Sequence, residues 1–220
     1  MAKARRGKRA YHHGDLRTAL IDAGLDLVAK RGVEALSLRA VARKAQVSHA
    51  APYHHFTDKA ELLAAVAAAG FDRMVAVIAQ TTLDQPPRRA LEGLRAVGVG
   101  YLRFAFTNPA VFRLMFRPEL THPAAHPLLQ AAEARAFATL VTAIRAAQSA
   151  GELPGADPAA PATFAWSTVH GLAVLHVDQV LRETPLGDVP IERLADAVVN
   201  LCIAGLQATP RPAPPDGTPH

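Results

Sequence analysis

The chain has 220 residues, half of them hydrophobic and only 5% aromatic, and a net charge of +5. That length permits a large core, and the lone Cys202 excludes an internal disulfide and a cysteine-rich zinc site. No apolar run reaches the ~18 residues of a membrane span, and no apolar segment follows the basic start as in a signal peptide. The composition therefore predicts a helix-rich cytoplasmic protein that does not enter a membrane.

The positive charge is concentrated at the N-terminal end. Residues 1–60 contain twelve Lys and Arg against five Asp and Glu, whereas the rest of the chain contains twelve against fourteen. A basic head on a nearly neutral body is typical of nucleic-acid-binding proteins, although a solvated basic tail would give the same asymmetry. We expect residues 1–10 to form a basic, disordered arm.

Helix signals follow one another closely after this arm. One helical face is indicated by apolar residues spaced four, three and four apart, namely Leu16, Leu20, Ala23 and Leu27. This first helix is expected to end at Gly32, which follows two cations. Ser37 is a candidate N-cap for a short second helix.

The stretch VSHAAPYHHFTDKAEL then places a proline inside an otherwise helical pattern. Because proline is tolerated only in the first turn of a helix, Pro52 predicts a third helix that starts near Ser48 or His49 and ends near Phe56. Two short helices joined by a tight turn form a helix-turn-helix, whose second helix enters the major groove of DNA.

The chain as far as residue 208 reads as further helices punctuated by proline and glycine. We predict a helix from Thr57 or Asp58 to about Thr82, a second from Pro86 to Thr107, and a short third one over NPAVFRLMF. After Pro127 a long helix is expected to run to about Ala150, followed by helices from Asp157 to near Glu183 and from Pro190 to near Ala208. Because no segment alternates with a period of two, the predicted fold class is all-α. The proline-rich tail, residues 209–220, is expected to be disordered.

The head resembles the TetR family of transcriptional repressors over about residues 14–66. In YHHFTDKAEL, five residues match the family's Y-x-H-F-x-x-K-x-x-L stretch, namely Tyr53, His55, Phe56, Lys59 and Leu62. Downstream, WSTVHGLAVL is similar to a W-x-x-x-H-G pattern in one branch of the family's ligand domains. Pro52 departs from the family, which more often has another apolar residue there.

The resemblance implies a homodimer with two functional parts. Residues 11–58 would form a three-helix, helix-turn-helix DNA-binding domain, and residues 59–208 a helical ligand-binding and dimerisation domain. Ligand binding in such proteins typically releases the DNA operator. The resemblance implies no catalytic residues, and it places Phe56 in the core of the head and His55 near the joint with the next helix.

Nine residues of the head are candidate DNA contacts: Ser37, Arg39, Ser48, His49, Ala50, Ala51, Tyr53, His54 and Lys59. A helix N-terminus with an arginine suits a phosphate; the alternative for Ser37 and Arg39 is a plain cap and a solvated side chain. The small alanines permit close approach to bases. The tyrosine, histidine and lysine side chains can donate hydrogen bonds to phosphates.

The histidines do not predict a metal site. Adjacent side chains such as His54 and His55 point about 100° apart on a helix, whereas chelation needs i,i+4 or similar spacing. Four histidines in the body lack a carboxylate or cysteine at ligand spacing, namely His122, His126, His170 and His176. We therefore expect no metal and no cofactor.

Large side chains in the body are candidates for the wall of a ligand cavity: Phe104, Phe112, Met115, Phe116, Phe137, Leu140, Ile144, Trp166 and His170. An apolar wall with few polar groups is usual for such cavities, but the same residues could form a plain core. The last two helices carry apolar faces that predict a dimer interface through Leu172, His176, Val180, Leu194, Val198 and Leu201.

These patterns predict a TetR-type transcriptional regulator, a repressor released from its double-stranded DNA operator by a small hydrophobic effector. The alternative is a nonspecific nucleic-acid-associated helical protein without a ligand switch. That alternative would explain the basic head but not a large apolar body. An enzyme is not predicted, because there is no nucleophile elbow, phosphate loop or paired carboxylate constellation.

Overall fold

The computed structural model describes residues 13–208, with side chains from Leu16 onward, so the predicted arm and tail lie outside the described residues. Nine α-helices are present in this range: α1 His13–Arg31, α2 Leu38–Lys44, α3 Lys59–Asp84, α4 Ala90–Thr107, α5 Pro109–Met115, α6 Pro118–Thr121, α7 Pro127–Ser149, α8 Ala159–Val177 and α9 Ile191–Ala208. Short 3-10 turns occur at Val33–Ala35, Ala51–His54, Pro123–Ala125 and Val180–Glu183. The described residues include no strand, and the predicted all-α class is confirmed.

The start of the head follows its local sequence signals. Leu20, Ala23 and Leu27 are buried on one face of α1, as their spacing predicts. The helix ends where Gly32 adopts a φ of 77°, which favours a residue without a Cβ atom. Ser37 caps α2, because its hydroxyl oxygen accepts a hydrogen bond from the Ala40 amide at 3.1 Å.

The predicted α-helix from His49 to Phe56 is wrong, because the chain makes only the 3-10 turn Ala51–His54 there. Pro52 has no amide hydrogen to donate. The neighbouring amides of Ala51, Tyr53 and His55 instead bond carbonyls three residues back, at 3.0, 3.2 and 2.9 Å. Ser48, one of the two predicted starts of that helix, does not cap the turn, since no side chain caps it.

Helix α3 runs through both halves of the molecule. Its start is capped by Asp58, whose carboxylate accepts the Glu61 amide at 2.9 Å. Among the described helices it alone is long and apolar enough to cross a membrane, with a mean hydropathy of 1.9 over its most apolar window. Because 56% of that window is buried within the fold, its apolar character is that of a core helix.

In the body, α4, α5, α6 and α7 pack against α3, while α8 and α9 pack against α4 and against each other. Two predicted boundaries here are wrong, since α4 starts at Ala90 rather than Pro86 and α8 ends at Val177 rather than Glu183, and the short helix α6 was not predicted. The early end of α8 has a local cause, because Gln179 adopts a left-handed φ of 62°. A left-handed residue cannot continue an α-helix.

Substitution of Gly100 should test the close packing of α3 against α4. A Cβ atom at Gly100 would lie 2.8 Å from the backbone Cα of Ile78, so Gly100→Ala must push the helices apart. We expect a loss of about 1–3 kcal/mol in the free energy of unfolding, measured by urea denaturation.

Gly93→Ala on the same helix is the matched control, because its nearest neighbour, Pro87, is 3.8 Å away. It should be neutral or stabilise the fold by up to about 1 kcal/mol, since alanine favours helix over glycine. Equal unfolding midpoints for the two variants would contradict the packing.

Candidate DNA-binding surface and ligand cavity

The turn between the two halves of the helix-turn-helix is set by Gln46. It adopts a left-handed φ of 58° just after α2. The Val47 amide then reaches back to the Ala42 carbonyl at 3.0 Å, the bond that ends a helix in a Schellman motif. This sharp stop directs the following segment, residues 48–56, across the end of α2.

Two apolar side chains fix this segment, which we call the recognition segment, to the head. Pro52 is buried, and Phe56 is 1% exposed. The guanidinium carbon of Arg17 lies 5.2 Å from the centre of the Phe56 ring, within cation–π range. With Pro52 and Phe56 turned inward, Tyr53 is 55% exposed, and His54 is exposed beside it.

The predicted DNA contacts are almost all accessible. Those exposed to solvent are Ser37, Arg39, Ser48, His49, Ala50, Tyr53, His54 and Lys59, while Ala51 is half-buried. Ser37 acts as a cap, but its hydroxyl hydrogen can still be donated to a phosphate. The group therefore offers hydrogen-bond donors and the two full positive charges of Arg39 and Lys59, which is suitable chemistry for phosphate oxygens.

The joint after the recognition segment is held by a reciprocal set of hydrogen bonds. Glu61 accepts the Thr57 amide at 2.7 Å and the Thr57 hydroxyl at 2.9 Å, while its own amide bonds Asp58. Such a box fixes the direction in which the chain enters a helix. Lys59, the first residue of α3, is therefore presented to solvent from a fixed helix end.

The body contains a half-open cavity of about 600 Å³ between α3, α4, α7 and α8. This size lies within the range of small-molecule sites. The wall is almost entirely apolar, and it is formed by Phe71, Met74, Ile78, Leu94, Val97, Gly98, Tyr101, Phe116, Gln130, Glu133, Ala134, Ala136, Phe137, Leu140, Ala165, Trp166 and Val169.

One wall of the cavity carries a polar pair. The Tyr101 hydroxyl lies 2.7 Å from Nδ1 of His170. Burial lowers the pKa of His170, so the neutral ring can accept this hydroxyl hydrogen. Burial raises the pKa of Tyr101, and a hydrogen bond with Trp166 opposes that rise. The pair is therefore uncharged at neutral pH, and the Tyr101 hydroxyl already has a partner.

The structure brings together only some of the predicted cavity residues. Phe116, Phe137, Leu140 and Trp166 line the cavity. His170 lies behind the wall, with its ring centre 4.6 Å from that of Phe116 and 5.6 Å from that of Trp166. The others are buried core residues rather than wall residues, namely Phe104, Phe112, Met115 and Ile144.

Sequence reasoning missed lining residues that helical spacing could have found. Leu94, Val97 and Tyr101 follow one another at spacings of three and four on α4. On α7, Gln130 and Glu133 share a face with Phe137 in the same way. The choice of large apolar side chains as wall candidates leaves out the two polar residues and the hydroxyl-bearing Tyr101.

An apolar surface remains exposed on α8 and α9. Leu201 is 71% exposed, Phe164 is 49% exposed and Leu175 is 41% exposed. Leu194 and Val198 are half-buried, and Val180 is exposed on the 3-10 turn beyond α8. Leu172, by contrast, is 8% exposed and belongs to the core of its own chain.

Two histidines of the body, His176 and His122, lie in surroundings that do not resemble a metal site. The ring of His176 lies 4.5 Å from that of Phe106, and burial lowers its pKa. His122 occupies the left-handed position between α6 and the next turn. Within residues 13–208, no three His, Cys, Asp or Glu side chains come close enough together to hold a metal.

Two family models match the chain. Residues 20–66 match that of the bacterial regulatory proteins of the tetR family, and residues 94–201 match the tetracyclin repressor-like C-terminal domain. Together they span the recognition segment, most of the cavity wall and most of the exposed surface of α8 and α9. The finer resemblance to a W-x-x-x-H-G branch stays a prediction.

Individual relatives agree with this assignment. The HTH-type transcriptional repressor KstR of Mycolicibacterium smegmatis is 33% identical over 121 residues, 55% of this chain and 50% of KstR. The nicotine-responsive repressor HdnoR of Paenarthrobacter nicotinovorans is 38% identical over 77 residues, 35% of this chain and 40% of HdnoR. The chain thus spans about half or less of these curated relatives.

A solved structure extends the likeness to the whole fold. A protein of unknown function from Rhodococcus sp. RHA1 is 30% identical, with a TM-score of 0.74 over 91% of this chain and 100% of that one.

The stability of the head should depend on Asp26 in a pH-dependent way. Asp26 pairs with Lys30 at 2.7 Å and with Lys44, at the end of α2, at 2.5 Å. These two hydrogen bonds lower the pKa of Asp26 from 3.8 to about 2. Because the folded pKa is depressed, the pairing stabilises the fold above the unfolded value and is lost as the pH falls toward about 2.

Asp26→Asn should therefore lower the thermal midpoint at neutral pH, with a deficit that shrinks as the pH falls from about 5 to about 2. Asp188→Asn, at an exposed carboxylate in the loop before α9, should show no such pattern. A deficit of Asp26→Asn that stayed constant over this range would contradict the pairing.

Proposed function

This chain belongs to the TetR family of bacterial regulatory proteins, and on that premise we propose that it is a transcriptional repressor. It binds operator DNA as a homodimer in the cytoplasm and leaves the operator when a small hydrophobic effector fills the body cavity. What supports this function most directly is α3, which starts beside the recognition segment and then forms part of the cavity wall through Phe71, Met74 and Ile78.

DNA recognition is assigned to the recognition segment and the residues around it. Tyr53 and His54 project from the 3-10 turn, and Lys59 marks the start of α3. Their donors bind phosphates and fix the register of the head on the duplex. His49 and Ala50 are exposed at the start of the segment, and they contact the edges of the bases.

Dimer formation is assigned to the exposed apolar surface of α8 and α9. A Cβ atom at Gly171 would meet no other atom within 4 Å, so the backbone of α8 is open to close approach between Phe164 and Leu175. Two copies of this surface form a self-complementary interface around a two-fold axis. Such an interface covers Leu201, which the monomer leaves exposed to water.

A second connection between the cavity and the head runs through α7. A smaller cleft at the joint is lined by Thr57 and Glu61 on the head side and by Pro127 and Leu128 at the start of α7. The same helix contributes Glu133 and Phe137 to the large cavity. A ligand that moves α3 or α7 thus changes the support of the recognition segment.

A nonspecific nucleic-acid-associated protein is the alternative function. The basic head would suit it, but it gives no role to a cavity of about 600 Å³ with an apolar wall. The salt dependence of binding separates the two, because nonspecific binding is almost wholly electrostatic.

Lys59→Gln should weaken binding to the operator and to random duplex alike, and it should lower the slope of log affinity against log salt by about one unit. The reason is that Lys59 contributes one phosphate contact and reads no base. The measurement is fluorescence anisotropy at several salt concentrations, with a duplex that the protein selects from a random pool.

The control for this change is Arg145→Gln, which removes one exposed positive charge from α7 in the body. It should leave both the affinity and the slope unchanged. An Lys59→Gln effect confined to the selected duplex, or an equal effect of Arg145→Gln, would contradict the phosphate role.

Leu201→Asp should convert the dimer to a folded monomer, because a carboxylate on a buried apolar interface has no partner. The control is Leu83→Asp, since Leu83 is 70% exposed against 71% for Leu201 but lies at the far end of α3. Sedimentation at micromolar concentration should find dimers for the parent and Leu83→Asp. A monomeric parent, or a Leu201→Asp dimer, would contradict the assigned interface.

A further inference from the structure

The cavity wall contains one charged side chain. Of its polar residues, Tyr101 already bonds His170, which leaves Gln130 and Glu133, both on α7, to meet a ligand. Glu133 is half-buried. Burial raises the pKa of its carboxyl group above the ordinary value, so the surroundings disfavour its negatively charged form.

No cation of the described residues balances that charge. The cavity wall includes no lysine, arginine or histidine, and the carboxylate of Glu133 forms no ion pair or hydrogen bond with the side chains and backbone of residues 16–208. Arg135, two residues along α7, is paired with Asp72 at 2.7 Å. A carboxylate beside an apolar cavity without a counter-charge favours a ligand that supplies one.

The rest of the wall suits the same kind of ligand. Phe137 and Trp166 meet with ring centres 6.0 Å apart, and Phe116 lies 6.5 Å from Trp166. Aromatic faces attract cations, and quaternary ammonium groups are typically held by several aromatic rings. An anionic head group would find neither a basic side chain nor a favourable ring face here.

We propose that the effector is a lipophilic cation, an amine or quaternary ammonium with an apolar body, whose charged group pairs with Glu133 between the aromatic rings. This ligand class rests on the proposed function, because it names the effector of the same cavity. The apolar body of the ligand fills the space between α3 and α4. Fatty acids and other anionic lipids are thereby excluded as effectors.

The test uses three probes with one alkyl chain and different head groups: decyltrimethylammonium, decanoate and decan-1-ol, each below its micelle-forming concentration. They are titrated into the full chain, and binding is followed by the fluorescence of Trp166, the only tryptophan. Because Trp166 lines the cavity, its signal reports occupancy without any DNA in the sample.

The parent chain should bind decyltrimethylammonium at least about tenfold more tightly than decanoate. Glu133→Gln should remove most of this preference, keep its affinity for decan-1-ol, and show no loss of thermal midpoint, since burial disfavours the original charge. Glu183→Gln, the same change on the turn beyond α8, should behave as the parent does.

Decanoate binding as tightly as the cation, or an unchanged preference in Glu133→Gln, would overturn the proposed ligand class. A different outcome of the experiment would contradict the proposed function and leave the ligand class intact. If decyltrimethylammonium binds with the expected preference but never alters operator affinity, the ligand class stands and release of the operator by ligand is contradicted.

Discussion

Helix α3 belongs to two cores at once, and the rest of the structure depends on that continuity. Near its start, Val66 packs against Gly24 of α1 so closely that a Cβ atom at Gly24 would lie 2.6 Å from it. Near its end, Ile78 meets Gly100 of α4 just as closely and also lines the cavity. No break in helix geometry separates these contacts, and the proposed release of the operator requires that a displacement at the cavity pass along this helix to the head.

The cavity lies beside these closely packed contacts and contrasts with them. The fold packs α3 tightly against α1 and α4, yet it leaves about 600 Å³ open between α3, α4, α7 and α8. Protein interiors are normally filled to the density of organic crystals, so an apolar space of this size forgoes contacts that a ligand can restore. A ligand that binds more tightly to one arrangement of α3 than to another shifts the balance between them.

The sequence predicted the helices best where side chains cap or break them locally. Ser37 and Asp58 cap their helices as expected, because a cap bond joins residues only three apart. For the recognition segment both the predicted start, near Ser48 or His49 instead of Ala51, and the predicted helix type were wrong, because the position of Pro52 was interpreted for an α-helix and not for a 3-10 turn. The end of α8 was misplaced because nothing in its composition marks Gln179 as left-handed.

The cavity could be predicted only in outline. Phe116, Phe137 and Trp166 were found because large side chains in a chain poor in aromatic residues are conspicuous. Phe104 was not distinguishable from them by sequence, because whether a side chain faces a void or a filled core is decided by four helices together. Glu133, which gives the cavity its electrostatic character, could have been found from its spacing to Phe137 on α7, but the choice of large apolar side chains as wall candidates leaves out a carboxylate.

The most direct test of the coupling through α3 is the affinity of decyltrimethylammonium for the protein with and without saturating operator duplex, read from Trp166 fluorescence. Coupling between two sites is reciprocal, and it typically amounts to a factor of about 5–150. The account predicts that operator DNA weakens probe binding by a factor in that range. Equal affinities in the two titrations would mean that the cavity and the recognition segment are independent, and would contradict it.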